Sequence, residues 1–267
     1  MGLIVGVNYA NDYSDGIRGT DDDRTGPTRL TASGRARPEQ VKLAAFIAFG
    51  VAGVAGLILA AWTAPWLILV GALCILAAWF YTGGENPYGY RGLGEVAVFV
   101  FFGLVAVLGT QYTQIGYVTW VGLGCAVAVG AISAAINLAN NIRDIPSDTE
   151  AGKITLAVKL GDARARTLFT ILTLTPFAIT LLLGAAWPPT LLALAALPWA
   201  IGAVLVVKRG AQGPQLIPVL GANGRAMLIW ALITAGALIA ASPMWHLGET
   251  IPYGDFGYSR HLPAPGM

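Results

Sequence analysis

The sequence predicts an all-α protein, a polytopic bundle of transmembrane helices with seven full spans and part of one more at the start. Three observations carry this prediction. First, 56% of the 267 residues are apolar and only 11% charged, a balance suited to lipid rather than to a soluble core. Second, the apolar residues fall in charge-free runs of about 18 residues or more, the length that crosses a bilayer. Third, the charges segregate: fifteen of the sixteen Lys and Arg residues lie in or beside four loops, at 10–42, 83–95, 141–166 and 208–225, and only Arg260 lies elsewhere. The positive-inside bias puts those loops in the cytoplasm and the protein in the cell (inner) membrane.

In chain order the spans fall near 43–62, 65–82, 96–112, 117–140, 167–186, 189–207 and 226–241. Ahead of them, Met1 to Tyr9 reads as the end of another helix. Nine residues at about 1.5 Å each reach under half of a ~30 Å hydrocarbon core, so the chain is expected to start late. No basic n-region precedes the run, which excludes a signal peptide. The turns at 62–66, 113–117 and 186–190 carry no Lys or Arg and are flanked by Trp62, Trp66, Trp120 and Trp187, as an outer aromatic belt requires. Residues 1–241 form the membrane domain, and 242–267 a polar tail expected to be poorly ordered.

Twelve of the fourteen carboxylates share the loops that hold the bases, so the net charge of +2 points to no acidic partner, and no nucleic acid is expected. Cys74 and Cys125 lie inside spans and read as small hydrophobes rather than a disulfide or zinc site. His246 and His261, isolated in the tail, make no metal site.

The informative chemistry sits where apolar runs turn polar. Asn137, Asn140, Asn141 and Asp144 are spaced i, i+3, i+4 and i+7, and on a helix project from one face. Such a face is costly to bury without a polar ligand. The chain carries it twice: Asn8, Ala10, Asn11 and Asp15 match Asn137, Ala139, Asn140 and Asp144 position for position. Two helix ends of one design suggest two halves facing a common site.

The first loop, 10–40, holds Asp12 and Asp15 one helical turn apart, then Asp21, Asp22 and Asp23, then Arg24, Arg29, Arg35 and Arg37. The second, 83–95, is irregular, with Tyr81 before it and Tyr88, Tyr90 and Arg91 within. Tyr88 and Tyr90 read as headgroup-depth tyrosines, and Arg91 as a partner for Glu95 four residues on. In the third, Pro146 between Asp144 and Asp148 ends or kinks the helix, and Lys153 follows close enough to reach an anion held by the two acids. The last three spans, Leu- and Ala-rich, read as walls.

Asp12, Asp15, Asp144 and Asp148 are therefore the candidate catalytic and metal-binding residues, holding Mg2+ against a diphosphate. Asn8, Asn11, Arg18, Arg29, Tyr81, Arg91, Asn137, Asn140, Asn141 and Lys153 are the candidate substrate-binding residues. A clamped diphosphate is a good leaving group, and the spans beneath it would house a long allylic hydrocarbon.

Three blocks, NDYSDGIRGTDDDRTGPTRL, YTGGENPYGYRGLGE and NNIRDIPSDTEAGKITLAVKLG, make the chain resemble the UbiA superfamily of intramembrane aromatic prenyltransferases over residues 1 to about 241, and most of all its 1,4-dihydroxy-2-naphthoate branch. The superfamily's first motif, Asn-x-x-x-Asp-x-x-x-Asp, maps onto Asn11 and Asp15. Its third position is Gly19 here, with Asp21 the nearby acid. The second motif maps onto Asp144, Asp148, Gly152 and Lys153. The resemblance implies a UbiA-like bundle of about nine helices, of which this sequence lacks the first and roughly half of the second. It further implies Mg2+-dependent transfer of a polyprenyl group from polyprenyl diphosphate to 1,4-dihydroxy-2-naphthoate, with loss of carboxylate and diphosphate, to give demethylmenaquinone. Two alternatives stand beside it. One is a related prenyltransferase acting on 4-hydroxybenzoate or homogentisate. The other is a divalent-cation transporter, which requires acids inside the spans, where only span ends carry them.

Overall fold

The computed structural model describes residues 1–19 and 28–241, which form helices and connecting turns with no strand. Asp21, Asp22, Asp23, Arg24, both histidines and the C-terminal tail lie outside the described residues, so the expectations for them stay untested. Six helices are long and apolar enough to cross a bilayer: α2 (Pro38–Thr63), α4 (Gly94–Ile115), α5 (Trp120–Arg143), α8 (Asp162–Ala186), α9 (Pro188–Lys208) and α10 (Gly213–Ala240). They carry six of the seven expected spans. The seventh, 65–82, forms only the 14-residue α3 (Leu67–Phe80), about 21 Å of helix against a ~30 Å hydrocarbon core.

Two expected boundaries move. The first helix, α1 (Gly2–Arg18), does not stop at Tyr9: it runs two more turns to Gly19, whose left-handed φ of 71° closes it. Past Tyr9, the side chains of Asn11, Asp12 and Asp15 bond to neighbouring segments instead of their own backbone, so they do not break the helix sooner. Similarly, most of the expected loop at 208–225 is the first part of α10. Pro214 and Pro218 sit in opening turns, where a missing N–H costs nothing, and Asn223 is fully buried with Nδ2 donating to Thr173 Oγ1 on α8.

The centre of the bundle is α5, the most buried of the six. Its inner faces are small: Gly122, Ala126, Gly130, Ala134 and Ala135 are all buried, and they let neighbours approach closely. A Cβ on Gly103 of α4 would lie 2.5 Å from the Gly130 Cα and 2.6 Å from the Ala126 carbonyl oxygen, so only glycine fits this crossing. On its other sides α5 meets α8 and α10, with α9 behind them. α1 packs on α2 and α3. Outward faces are apolar, Leu43, Phe46, Ile47, Val54 and Ile58 of α2 among them, as lipid contact requires. Trp62 and Trp120 stand 88% and 86% exposed at helix ends, where a belt belongs. Cys74 and Cys125 are unbonded and partly buried.

Candidate functional site

The two matched helix ends meet. Asn8, Asn11 and Asp15 from α1 and Asn137, Asn140, Asn141 and Asp144 from α5 line one polar cavity of about 240 Å³. α5 stops at Arg143, and Pro146 opens the short α6 (Ile145–Glu150), which carries Asp148 into the same cavity. Gly152 at φ 68° turns the chain back, so that Lys153 lines the cavity and its Nζ lies 3.3 Å from Asp148 Oδ1. Arg29 and Tyr81 line it as well.

The electrostatics are closely matched. Arg143, buried behind Asp144, grips it with Nε donating to Oδ1 at 2.6 Å and Nη2 to Oδ2 at 2.7 Å. The Tyr90 hydroxyl donates to Asp15 Oδ1 at 2.7 Å, while its ring has the Arg18 guanidinium at 5.5 Å and Lys153 Nζ at 5.4 Å from its centroid. Burial pushes the Asp148 carboxyl above its ordinary range, against the opposing pull of Lys153. Two buried atoms at the cavity have no hydrogen-bond partner among the described residues: Asp148 Oδ2, an acceptor, and Asn137 Nδ2, a donor. One suits a cation and the other an anion.

A second chamber of about 420 Å³ opens from the first, sharing Asn8, Asn11, Tyr81 and Asn137. Beyond those it is mostly apolar, walled by Leu3, Ile4, Ala78, Val98, Phe101, Phe102 and Val105, and among the described residues no Asp, Glu, Lys or Arg side chain lines it. Tyr88 lines this chamber too, its hydroxyl donating to the Ala77 carbonyl.

Three of the expected site residues lie outside the lining of this cavity. Asp12 is not brought to the cavity: its carboxylate accepts the backbone N–H groups of Leu30 at 2.9 Å and Thr31 at 2.8 Å, fastening the following loop to α1. Arg18 lies outside the cavity as well, and donates to the carbonyls of Thr82 and Gly84 and so ties α1 to the segment after α3. Arg91 is exposed in the turn Tyr88–Arg91 and does not pair with Glu95. Glu95 instead turns inward, 3% exposed, and its Oε1 accepts Asn141 Nδ2 at 2.6 Å. Conversely, Arg143, Tyr90, Thr82, Ser147 and Thr155 belong to the site unannounced. Only the phase of Arg143 beside the motif acid hinted at it.

Among the described residues no cluster of three or more His, Cys, Asp or Glu side chains is placed to hold a metal unaided. That fits a magnesium ion that arrives with its ligand, since Mg2+ takes one or two protein carboxylates and completes its shell with phosphate oxygens and water. The unpartnered Asp148 oxygen is a donor of that kind.

The profile of the UbiA prenyltransferase family matches residues 1–215. A Mycobacterium tuberculosis protein named 1,4-dihydroxy-2-naphthoate octaprenyltransferase is 58% identical over 238 residues, 89% of this chain and 82% of its own. Its namesake in Mycobacterium leprae is 55% identical over 90% of this chain and 82% of its own. The one in Escherichia coli is 40% identical over 61% of this chain and 56% of its own. On these matches, and with six helices able to span a bilayer, the chain is a multi-pass membrane protein that belongs to the UbiA prenyltransferase family.

Proposed function

We propose that the protein transfers a polyprenyl group from polyprenyl diphosphate to 1,4-dihydroxy-2-naphthoate, with loss of the acceptor's carboxylate, to give demethylmenaquinol, the reduced form of demethylmenaquinone. The observation that carries this reading is the pair of joined chambers, one polar and acid-lined, the other mostly apolar and without charged side chains among the described residues. Together they match a ligand with a metal-bound anionic head and a hydrocarbon tail. The relatives' names supply the acceptor.

In this reading Asp15, Asp148 and Asp144 hold Mg2+, which when bound neutralises charge on the departing diphosphate. Lys153, Arg29 and the Asn137 amide face the diphosphate oxygens. Arg143 keeps Asp144 oriented, and the Tyr90 hydroxyl does the same for Asp15. Phe101, Phe102, Tyr81 and Tyr88 surround the first carbons of the chain, where ring faces stabilise developing allylic cation charge and the apolar wall keeps water from it. The electron-rich naphthoate ring then bonds to the allylic carbon as the bond to diphosphate breaks, and the carboxylate leaves as carbon dioxide, with no net loss of a ring proton. The motif loops lie on the cytoplasmic side of the cell membrane, where the water-soluble acceptor arrives.

The test supplies membranes containing the protein with polyprenyl diphosphate, 1,4-dihydroxy-2-naphthoate and Mg2+, and reads products by mass spectrometry. Wild type is expected to give the prenylated naphthoquinol, with Asp15→Ala and Asp148→Ala inserting normally but silent. Turnover retained in both variants refutes the reading. Product from 4-hydroxybenzoate or homogentisate alone would move the enzyme to another acceptor. Uptake of a divalent cation without diphosphate release would favour transport, which the confinement of acids to the span ends speaks against.

A further inference from the structure

Resting on that reading, we infer that Glu95 is a positioning residue that fixes which end of the Asn141 amide meets the ligand. Glu95 lies on the first turn of α4, is 3% exposed and does not line the polar cavity. Asn141 does line it, and gives Nδ2 to Glu95 Oε1 at 2.6 Å. Glu95 Oε1 accepts this bond, and so selects the NH2 end of the amide. Asn141 Oδ1 is left pointing away from Glu95, as a hard oxygen for a cation. The other carboxylate oxygen, Oε2, is buried without a partner. A buried acid left half-satisfied is costly, and its retention here is explained by what it does to Asn141.

Across the cavity the opposite assignment is made. The buried Thr82 hydroxyl donates to Asn11 Oδ1 at 2.9 Å, which leaves Asn11 Nδ2 as a donor suited to an anion. Two chemically identical amides are thus sorted by their supporting groups, one toward metal and one toward phosphate. Replacing Glu95 by Gln keeps the shape but adds a donor, so Asn141 can turn over and present N–H where an oxygen is needed.

The experiment measures Mn2+ binding to the full-length protein in detergent with inorganic pyrophosphate present, and the melting temperature without metal. Glu95→Gln is expected to weaken Mn2+ binding by about 10- to 100-fold, the usual cost of losing a group that orients a metal ligand, with little change in metal-free melting. The double variant Glu95→Gln, Asn141→Asp exchanges donor and acceptor, returns an oxygen to the cavity and should restore binding. Unchanged Mn2+ affinity in Glu95→Gln, or a double variant no better than the single one, overturns the inference. A wild type that binds no Mn2+ with pyrophosphate overturns the reading of the cavity itself, and this inference with it. Prenyl transfer that survives in wild type while Glu95→Gln behaves normally leaves that reading standing and sinks only this one.

Discussion

Arg143 is the most exposed to disproof among the residues that the sequence left unremarked. It pairs with its own neighbour, and adjacent residues on a helix do not face each other. The pair forms because the helix stops: Asp144 sits at φ −97°, ψ 8°, and Pro146 prevents continuation. The guanidinium side chain is 2% exposed and the Asp144 carboxylate 17%, so water replaces little of what is lost. Arg143→Met removes two charge-assisted bonds and leaves a mostly buried carboxylate uncompensated. Breaking a buried pair costs about 3–5 kcal/mol, and the residual exposure of Asp144 lowers that to about 2–3 kcal/mol, within the range for bonds to charged groups. In a protein of this size that corresponds to a fall in melting temperature of roughly 4–10 °C. Arg143→Lys keeps the charge but loses the planar fork, and should fall in between. Mn2+ with pyrophosphate should recover part of the Met variant's loss, because a cation on Asp144 takes over the guanidinium's task. The assay is thermal unfolding in detergent with and without those ligands. A Met variant melting within a degree or so of wild type would refute the account of Asp144.

Three more expectations follow from the same geometry. Asp12→Ala should cost about 2–3 kcal/mol through its two backbone bonds, by the same amount with and without Mn2+; loss of the Mn2+-dependent part would return Asp12 to the metal. Tyr90→Phe, which removes only the hydroxyl on Asp15, should raise KM for the diphosphate by about fivefold, roughly 1 kcal/mol, while Tyr90→Ala, which also removes the ring near Arg18 and Lys153, should do more; equal kinetics for the two would refute the hydroxyl's role. Burial raises the Asp148 carboxyl above its unfolded value, so the folded protein holds that proton more tightly. The stability it contributes is full below the unfolded value and lost as pH rises through the folded one. Mn2+ competes with the same proton, so its stabilisation should grow with pH over that window and the trend should vanish in Asp148→Asn. A flat profile in wild type counts against it.

How much of this could be read beforehand depended on whether the signal was periodic. The amide faces of α1 and α5 recur at helical spacing, and their meeting was legible because spacing alone sets which side chains share a face. The six long helices were legible from the length of their charge-free apolar runs. The 14-residue α3 was not, since an apolar run reports composition and the chain's turn at Tyr81 depends on what the following loop packs against. Residues whose roles are set by partners far along the chain were least visible. Asp12 looks like Asp15 in sequence, but one faces the backbone of residues 30 and 31 and the other faces the cavity. Glu95 read as a surface partner for Arg91, and its actual partner lies 46 positions away on α5. Charge placement could not separate these cases, because the same cytoplasmic loops that gather bases also supply the site. What distinguishes the site from an ordinary charged loop is that its acids and amides are held by third groups, the buried Arg143, Thr82 and Glu95 and the half-buried Tyr90. A loop that only obeyed the positive-inside bias would have no need to fix their orientation.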